Sequence, residues 1–181
     1  MSQQRINLRG VTTLLVDSDQ FTRGLVAQML RGFGMDSPTV GEAGAHAKHH
    51  LTNHYADLII IEAALPDMQC ADLIRWIRGQ EKSPFRFVPI IVMSGYTQLR
   101  LVSAVRDAGA NLVVKKPLSP ANLLNRVAWV ARTERPFIQA GDFTGPDRRF
   151  RDILPPDGKF KRESDGAHDA IAEQQMINSA A

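Results

Sequence analysis

Cysteine is nearly absent from the sequence, which has Cys70 alone among its 181 residues. One cysteine cannot form an internal disulfide, so a disulfide-stabilised secreted domain is excluded and a reducing compartment is expected. Long hydrophobic runs are also missing, because no stretch approaches the roughly 20 apolar residues of a membrane-spanning helix. Residues 1–10 form a polar N-terminal segment without the pattern of a secretion signal. These absences predict a cytoplasmic protein that does not enter a membrane.

The chain also lacks a large excess of positive or negative charge. The net charge is +3 at pH 7, and the basic excess lies before Arg132, while the remainder of the chain is nearly balanced. The concentrated cationic patch of a nucleic-acid-binding surface is therefore not visible. Apolar residues make up 44% and charged residues 23%, which is typical of a globular chain with a real core.

Short β-branched runs alternate with longer helical patterns through residues 11–132. Five such β-α units in succession predict an α/β fold, because parallel strands need a helical crossover on one face or the other. We predict a flavodoxin-like, doubly wound sheet of five parallel strands in the order 2-1-3-4-5, with helices on both faces. The first helix is predicted to bury one apolar face, made of Phe21, Leu25, Val26, Met29 and Leu30.

Beyond residue 132 the periodicity stops, and proline and glycine become frequent. This composition predicts an irregular or disordered extension over residues 133–181, with a weakly patterned short helix over residues 167–177. Phe137, Phe143, Phe150 and Phe160 are spaced among Gly, Pro and Arg residues. Such a mixture suits docking on a partner or back on the domain, and a solvated extension is the alternative.

Polar residues stand where four of the predicted strands end. Asp17 and Ser18 follow the first strand, Glu62 ends the third, Ser94 ends the fourth and Lys116 follows the fifth. The carboxyl ends of these parallel strands meet at one edge of the sheet. A carboxylate there can attack a phosphoryl group, acids can hold Mg²⁺, and a hydroxyl and an ammonium can receive phosphoryl oxygens. The set predicts a phosphoryl-handling site.

Over residues 11–131 the chain resembles the receiver domain of two-component response regulators. The motifs that carry the resemblance are Leu14-Leu15-Val16-Asp17, Ala63-Ala64-Leu65-Pro66, Val92-Met93-Ser94-Gly95 and Val113-Val114-Lys115-Lys116-Pro117. The resemblance implies that Asp17 is the first acid of the metal site and that the Ala64 carbonyl is a further metal ligand. It also makes Ser94 the switch hydroxyl and Lys116 the family's lysine, with a peptide bond to Pro117 that is often cis.

Three positions depart from the family's pattern. Glu62 stands where the phosphate-accepting residue would be aspartate, Ser18 replaces the second metal-site acid, and Val113 replaces the switch aromatic. Glutamate is longer than aspartate by one C–C bond, roughly 1.5 Å, which brings its carboxylate within reach of Lys116 and Ser94. About 1 Å of misplacement can cost on the order of 100-fold in such chemistry.

These departures indicate a pseudo-receiver in a two-component or phosphorelay network, with Glu62 paired to Lys116 as a fixed mimic of the phosphorylated state. The chain is not expected to be an enzyme. No cofactor is required, and Mg²⁺ would be bound weakly, if at all, by Asp17, Glu62 and the carbonyl of Ala64. The alternatives are a degenerate site without a signalling state, a receiver that still accepts phosphate as a carrier or sink, and a nucleic-acid-binding regulator acting through its Arg-bearing tail.

The expected partner is a protein: a histidine kinase, a phosphotransferase or another signalling protein. It would bind the surface of helix 4, strand 5 and helix 5, and the tail is a second candidate for the contact. Residues of this predicted surface are Tyr96, Gln98, Arg100, Arg106 and Lys115. Neither a membrane nor a nucleic acid is expected as the partner.

Histidines recur on the predicted second helix. His46, His50 and His54 are spaced four residues apart, and two histidines at that spacing can chelate Zn²⁺ or Ni²⁺. A helical histidine pair without cysteine or carboxylate support is more often a solvated face, which is the interpretation we favour.

Overall fold

The fold is that of a computed structural model, which describes residues 7–81, 83–96, 98–132, 136–140 and 143–147. Seven strands, five α-helices and one 3-10 turn lie in these ranges. The strands are β1 Thr13–Val16, β2 Thr39–Gly41, β3 Leu58–Glu62, β4 Ile90–Ser94, β5 Leu112–Lys115, β6 Phe137–Ala140 and β7 Phe143–Pro146. The helices are α1 Gln20–Gly32, α2 Gly44–Asn53, α3 Cys70–Arg78, α4 Leu99–Asp107 and α5 Pro120–Arg132, and the 3-10 turn is Pro84–Phe87.

The main sheet has the order β2-β1-β3-β4-β5. Each neighbouring pair in it is parallel, so the predicted doubly wound topology is confirmed. β1, β3 and β4 are fully buried, as expected of central strands that have helices on both faces.

Two apolar clusters fill the two faces of this sheet. One packs α2, α3 and α4 through residues such as Leu51, Ile74 and Val105. The other packs α1 and α5 through residues such as Leu30 and Val127. None of the described helices is long and apolar enough to cross a membrane.

The buried face of α1 differs from the predicted one. Val26, Met29 and Leu30 are buried as expected, whereas Phe21 is 79% exposed and Leu25 is 39% exposed. A helix turns about 100° per residue, so Phe21 lies on the side opposite Leu30. The core-facing residues of α1 are instead Arg23, Val26, Ala27 and Leu30 at i, i+3, i+4 and i+7. The predicted face did not include Arg23 because it was defined by apolar residues alone.

Two boundary predictions are also corrected. Leu8, inside the segment predicted to be polar, is only 5% exposed and joins the α1–α5 cluster. Phe137–Ala140 and Phe143–Pro146 are not irregular, because β6 and β7 pair as an antiparallel hairpin. The compact unit that contains the sheet extends to Asp147 rather than ending at Arg132. The predicted helix over residues 167–177 lies outside the described residues.

Candidate functional site

The parallel sheet places the predicted site residues at one edge. β1 lies beside β3, β3 beside β4, and β4 beside β5. Asp17 follows β1 and Lys116 follows β5, while Glu62 and Ser94 are the last residues of β3 and β4. The carboxyl ends of these four strands therefore bring two acids, a hydroxyl and an amine into one pocket.

The Lys116 ammonium joins the two acids of this pocket. It donates to Asp17 Oδ2 at 2.7 Å and also forms an ion pair with Glu62 Oε2. Asp17 is 1% exposed and Glu62 is 8% exposed, so both negative charges are held away from water. Since a buried carboxylate without a cation is strongly unfavourable, the ammonium compensates for the burial of both acids.

The same contacts set the protonation of Lys116. Burial lowers the pKa of its ammonium, but hydrogen bonds to Asp17 and Glu62 and their negative charges raise it more, so the pKa lies above its ordinary value. Lys116 therefore stays charged throughout the physiological pH range. The Lys116 ammonium is therefore a permanent cation between the two acids.

The Ser94 hydroxyl is turned toward its own loop. It donates to the Tyr96 carbonyl oxygen at 2.6 Å and accepts from the Tyr96 amide at 3.1 Å. Ser94 is 2% exposed, and these contacts fix the hydroxyl against the loop that follows β4. Glu62 was predicted to reach both Lys116 and Ser94. It contacts Lys116, whereas the Ser94 hydroxyl makes its hydrogen bonds with Tyr96.

The remaining predicted residues lie around this centre. Ser18 is exposed, and Asp19 beside it turns to the start of α1, where its carboxylate accepts from the Thr22 amide at 2.6 Å. Hydrogen bonding from Thr22 lowers the pKa of Asp19. Val113 is partly buried against the α2–α3–α4 cluster, and the Lys116–Pro117 peptide bond is cis. Neither Ser18 nor Val113 offers the carboxylate or the ring that the family's pattern has there.

Arg23 is a site residue that sequence reasoning missed. Its guanidinium donates to the carbonyl oxygens of Asp17 at 2.6 Å and Ser18 at 3.0 Å, and it pairs with Glu42 at 2.8 Å. The side chain thereby ties the loop after β1 to the loop after β2. A charged residue at a core-facing helix position was the available signal, because such a group needs partners inside the fold.

We expect Arg23→Met to lower the free energy of unfolding by about 2 kcal/mol, because buried carbonyl groups lose charged hydrogen-bond donors. Arg31→Met, which changes an exposed arginine on the same helix, serves as the control and should cost less than about 0.5 kcal/mol. Urea unfolding of both variants measures this difference. Equal costs would contradict the proposed tie between the loops.

A second tie holds the loop after β3. The Asp67 carboxylate accepts from the Gly44 and Ala45 amides at 2.8 Å each. Burial raises the pKa of Asp67, but these hydrogen bonds outweigh it and the pKa is lowered. Ala43 has no side chain to cap α2, so the missing local cap was a signal that a distant acid supplies one. The loops after β1, β2 and β3 are thus linked around Glu62.

The donor set of the pocket does not fit Mg²⁺. That ion is usually held by one or two carboxylates together with several waters, but here Asp17 Oδ1 accepts from the Asp19 amide at 2.9 Å and Glu62 Oε1 accepts from the Ala64 amide at 3.2 Å. Their other oxygens face the Lys116 ammonium, and Ser18 adds no negative charge. A cation already stands between the two acids, so the predicted set of Asp17, Glu62 and the Ala64 carbonyl lacks the free negative charge that would attract the metal.

The histidines of α2 are arranged by contacts within the helix region. His46 Nδ1 accepts from the Glu42 amide at 3.1 Å, and the rings of His50 and His54 stack with centroids 5.0 Å apart. Burial, together with the nearby His54 and His49, lowers the pKa of His50. Among the described residues, no group of three His, Cys, Asp or Glu side chains is placed to hold a metal ion.

Comparison with known proteins identifies relatives of this arrangement. The family model described as the response regulator receiver domain matches residues 13–128. The transcriptional regulatory protein GltR of Pseudomonas aeruginosa is 30% identical over 138 residues, which are 76% of this chain and 56% of that protein. The DNA-binding response regulator MtrA of Mycolicibacterium smegmatis is 30% identical over 114 residues, 63% of this chain and 47% of that protein. The chain therefore spans about half the length of these two relatives.

Solved structures agree in fold. The chemotaxis response regulator CheY4 of Vibrio cholerae is 23% identical with a TM-score of 0.61, over 66% of this chain and 98% of that one. The receiver domain of the sensor histidine kinase PA1611 from Pseudomonas aeruginosa is 27% identical with a TM-score of 0.61, over 67% and 98% of the two chains. The latter was solved with a magnesium ion coordinated in its active-site cleft.

Proposed function

This chain belongs to the response regulator receiver domain family of two-component signalling, and from that premise we propose that it is a receiver whose signalling state does not depend on phosphorylation. The observation that carries the proposal is the Lys116 ammonium, which bridges Asp17 and Glu62. In this proposal the protein is a cytoplasmic signalling module that does not act as an enzyme.

The proposal follows from charge and geometry in the pocket. A phosphoryl group arriving at Glu62 brings more negative charge to a site that already holds two buried carboxylates. Phosphoryl transfer depends on positioning and charge neutralisation, and Ser18 contributes no acid for a metal. Glu62 instead places its carboxylate beside Lys116, in the role that a phosphoryl group would have in a switching receiver.

In this proposal the surface that a partner would bind does not change its conformation in response to the pocket. Ser94 binds the backbone of Tyr96, and Val113 provides no aromatic ring whose position could report a change in the pocket. We propose that a partner protein, such as a histidine kinase or a phosphotransferase, binds α4, β5 and α5. Tyr96 and Leu99 on this side are 81% and 85% exposed, which leaves them accessible.

Incubation of the full chain with acetyl phosphate and Mg²⁺ is expected to add no phosphoryl mass. The matched variant Ser18→Asp/Glu62→Asp restores both acids of the family's pattern. We expect this variant to gain a phosphoryl group, because its shorter acceptor frees space beside Lys116 and its second acid draws Mg²⁺ into the pocket. Intact-mass spectrometry with and without a chelator measures the gain.

Ser18→Asp/Glu62→Ala is the control, and it should stay unlabelled. Labelling of the wild-type chain that disappears in Glu62→Ala would overturn the proposal and support the alternative of a phosphate carrier or sink. If the doubly restored variant also stays unlabelled, Ser18 and Glu62 are not what prevents phosphorylation of the pocket.

Nucleic-acid binding is the alternative from another class. GltR is named a transcriptional regulatory protein and MtrA a DNA-binding response regulator, which keeps this alternative open. The chain matches only about half of each, and its charge is nearly balanced beyond residue 132. A salt-dependent shift of a random-sequence DNA duplex by the full chain would favour this alternative over a purely protein-binding receiver.

A further inference from the structure

The β6–β7 hairpin packs against the domain at the C-terminal end of α3 and the turn after α4. Phe137 and Pro146 pair at its open end, and the Asp147 amide donates to the Pro136 carbonyl oxygen at 2.9 Å. Thr144 Oγ1 accepts from Arg86 at 3.2 Å. Gly145 and Pro146 are buried, so the hairpin is seated on the domain.

The surface beneath the hairpin is organised by Arg78, which is 2% exposed. A guanidinium has five N–H donors, and here each has an acceptor. The acceptors are the carbonyl oxygens of Gly109 (3.1 and 3.0 Å), Arg86 (2.5 Å) and Val88 (2.8 Å), and Asn111 Oδ1 (3.1 Å). One side chain therefore joins α3, the segment before β4 and the turn between α4 and β5.

Phe137 of the hairpin covers this guanidinium. The Arg78 Cζ atom lies 4.9 Å from the centre of the Phe137 ring, within the range of a cation–π contact. The Phe87 ring meets Phe137 edge-on at 5.5 Å. The aromatic ring shields the hydrogen bonds of Arg78 on one side, so the hairpin completes the environment of a buried cation.

The hairpin approaches the turn after α4 at two glycines, Gly109 and Gly145. Gly109, in the turn after α4, has a φ of +106°, and a Cβ there would lie 2.5 Å from the Thr144 carbonyl oxygen. A Cβ on Gly145 would lie 2.8 Å from the Gly109 Cα. The contact leaves no room for a side chain on either residue, and Gly109 also has the backbone conformation that glycine favours.

We propose that residues 136–140 and 143–147 form a strap that holds the C-terminal end of α4 in place, so that the chain after α5 is mechanically coupled to the helix of the predicted partner surface. The strap touches Gly109 directly and Arg78 through Phe137. Arg78 in turn binds the Gly109 carbonyl oxygen with two of its donors. The end of α4 is thus held by the hairpin and by Arg78. Movement of the hairpin would remove its contact with Gly109 and the Phe137 ring that covers Arg78.

Hydrogen–deuterium exchange on the full chain with Gly145→Ala tests the strap. The amides of Ala108, Gly109 and Ala110 donate to carbonyl oxygens of α4 at 3.0, 3.0 and 3.1 Å, so they report on the end of that helix. We expect their exchange to accelerate about tenfold, which corresponds to roughly 1.4 kcal/mol of lost local protection. The amides of β1 and β3, which lie in the centre of the sheet, should be unaffected.

Gln139→Ala is the matched control, because it changes an exposed residue of the same hairpin and should leave exchange unchanged. Phe137→Ala is a second variant that weakens the strap without adding bulk against Gly109, and it should accelerate the same amides. The proposal is overturned if the amides of residues 108–110 keep wild-type exchange in both strap variants. It is also overturned if exchange rises equally in β1 and β3, since that is loss of the whole fold rather than release of α4.

Discussion

Replacing Arg78 by alanine is expected to lower the free energy of unfolding by about 4 kcal/mol, since several buried acceptors lose their donors at roughly 1–3 kcal/mol each. Water entering the vacated space would recover part of that cost. Burial lowers the pKa of Arg78 to about 9, so the guanidinium is still charged at neutral pH. A loss of this size is a large share of the 5–15 kcal/mol that stabilises an ordinary domain.

Arg78→Lys distinguishes the donor network from charge alone. Lysine keeps the charge but offers three donors from a compact, strongly hydrated ammonium, so it cannot serve all the acceptors or stack on Phe137. We expect a loss of about 2–3 kcal/mol in urea unfolding. If lysine restored wild-type stability, the charge rather than the planar five-donor network would be the stabilising feature.

Arg75→Ala is the matched control for both variants. Arg75 lies one turn earlier on α3 and pairs with Asp72 at 2.6 Å, but its side chain is 57% exposed. Exposed pairs at this spacing contribute little, so the variant should stay within about 0.5 kcal/mol of wild type. A comparable loss in Arg75→Ala would assign the Arg78 effect to the helix itself rather than to its buried hydrogen bonds.

The fold was predictable because its evidence is local and repeated. In the main sheet β1, β3, β4 and β5 contain short apolar runs, whereas β2 is only Thr39–Gly41. Helices with periodic patterns lie between the strands, so the order of elements follows from reading along the chain. The identity of the pocket residues followed from the topology, since parallel strands end at a common edge. Glu62 and Lys116 needed no contact information beyond that placement.

The partners of two buried arginines, Arg23 and Arg78, could not be predicted from the sequence. Arg23 aligns with Val26 and Leu30 on the inner face of α1, and Arg78 aligns with Ile74 and other buried residues on α3. A charge at such a position indicates that partners exist, but not which ones. Five of the seven acceptors are backbone carbonyl oxygens in loops and turns, and two are side-chain oxygens. Every residue carries a carbonyl group, so the sequence does not single out the backbone acceptors.

The hairpin escaped prediction for a related reason. Its strands are four residues each and contain Gly145 and Pro146, so their composition resembles a loop. What makes them ordered is contact with Gly109 and Arg78, which lie far away in sequence. The phenylalanine spacing predicted docking, on a partner or back on the domain, as the alternative to a solvated extension, and Phe137 is docked on Arg78 and Phe87 of its own domain.

Removing the cation of the pocket is expected to have the second large effect. Lys116→Met leaves Asp17 and Glu62 buried and facing one another without a positive charge. Breaking a buried ion pair on one side costs about 3–5 kcal/mol; because the Lys116 side chain is 21% exposed, we expect about 3 kcal/mol at pH 8, near the lower end of that range. Lys115→Met, which changes the exposed neighbour, should have little effect.

The pH dependence of this loss has a definite sign. In the wild-type chain the pKa of Lys116 is raised, so its stabilising effect is fully present below the ordinary lysine pKa of about 10.4 and does not change between pH 5 and pH 8. In Lys116→Met the buried acids take up protons more readily in the folded state than in the unfolded state. The folded state then binds more protons, so stability rises as the pH falls.

We therefore expect the difference between wild type and Lys116→Met to shrink from pH 8 to pH 5 in urea unfolding. Adding Glu62→Gln to Lys116→Met removes one of the two facing charges and should recover roughly half of the loss at pH 8, because the remaining acid has no charged neighbour of the same sign. A cost that is independent of pH and insensitive to Glu62→Gln would mean that Lys116 acts through packing. The bridge that Lys116 forms between Asp17 and Glu62 would then not explain a phosphorylation-independent state.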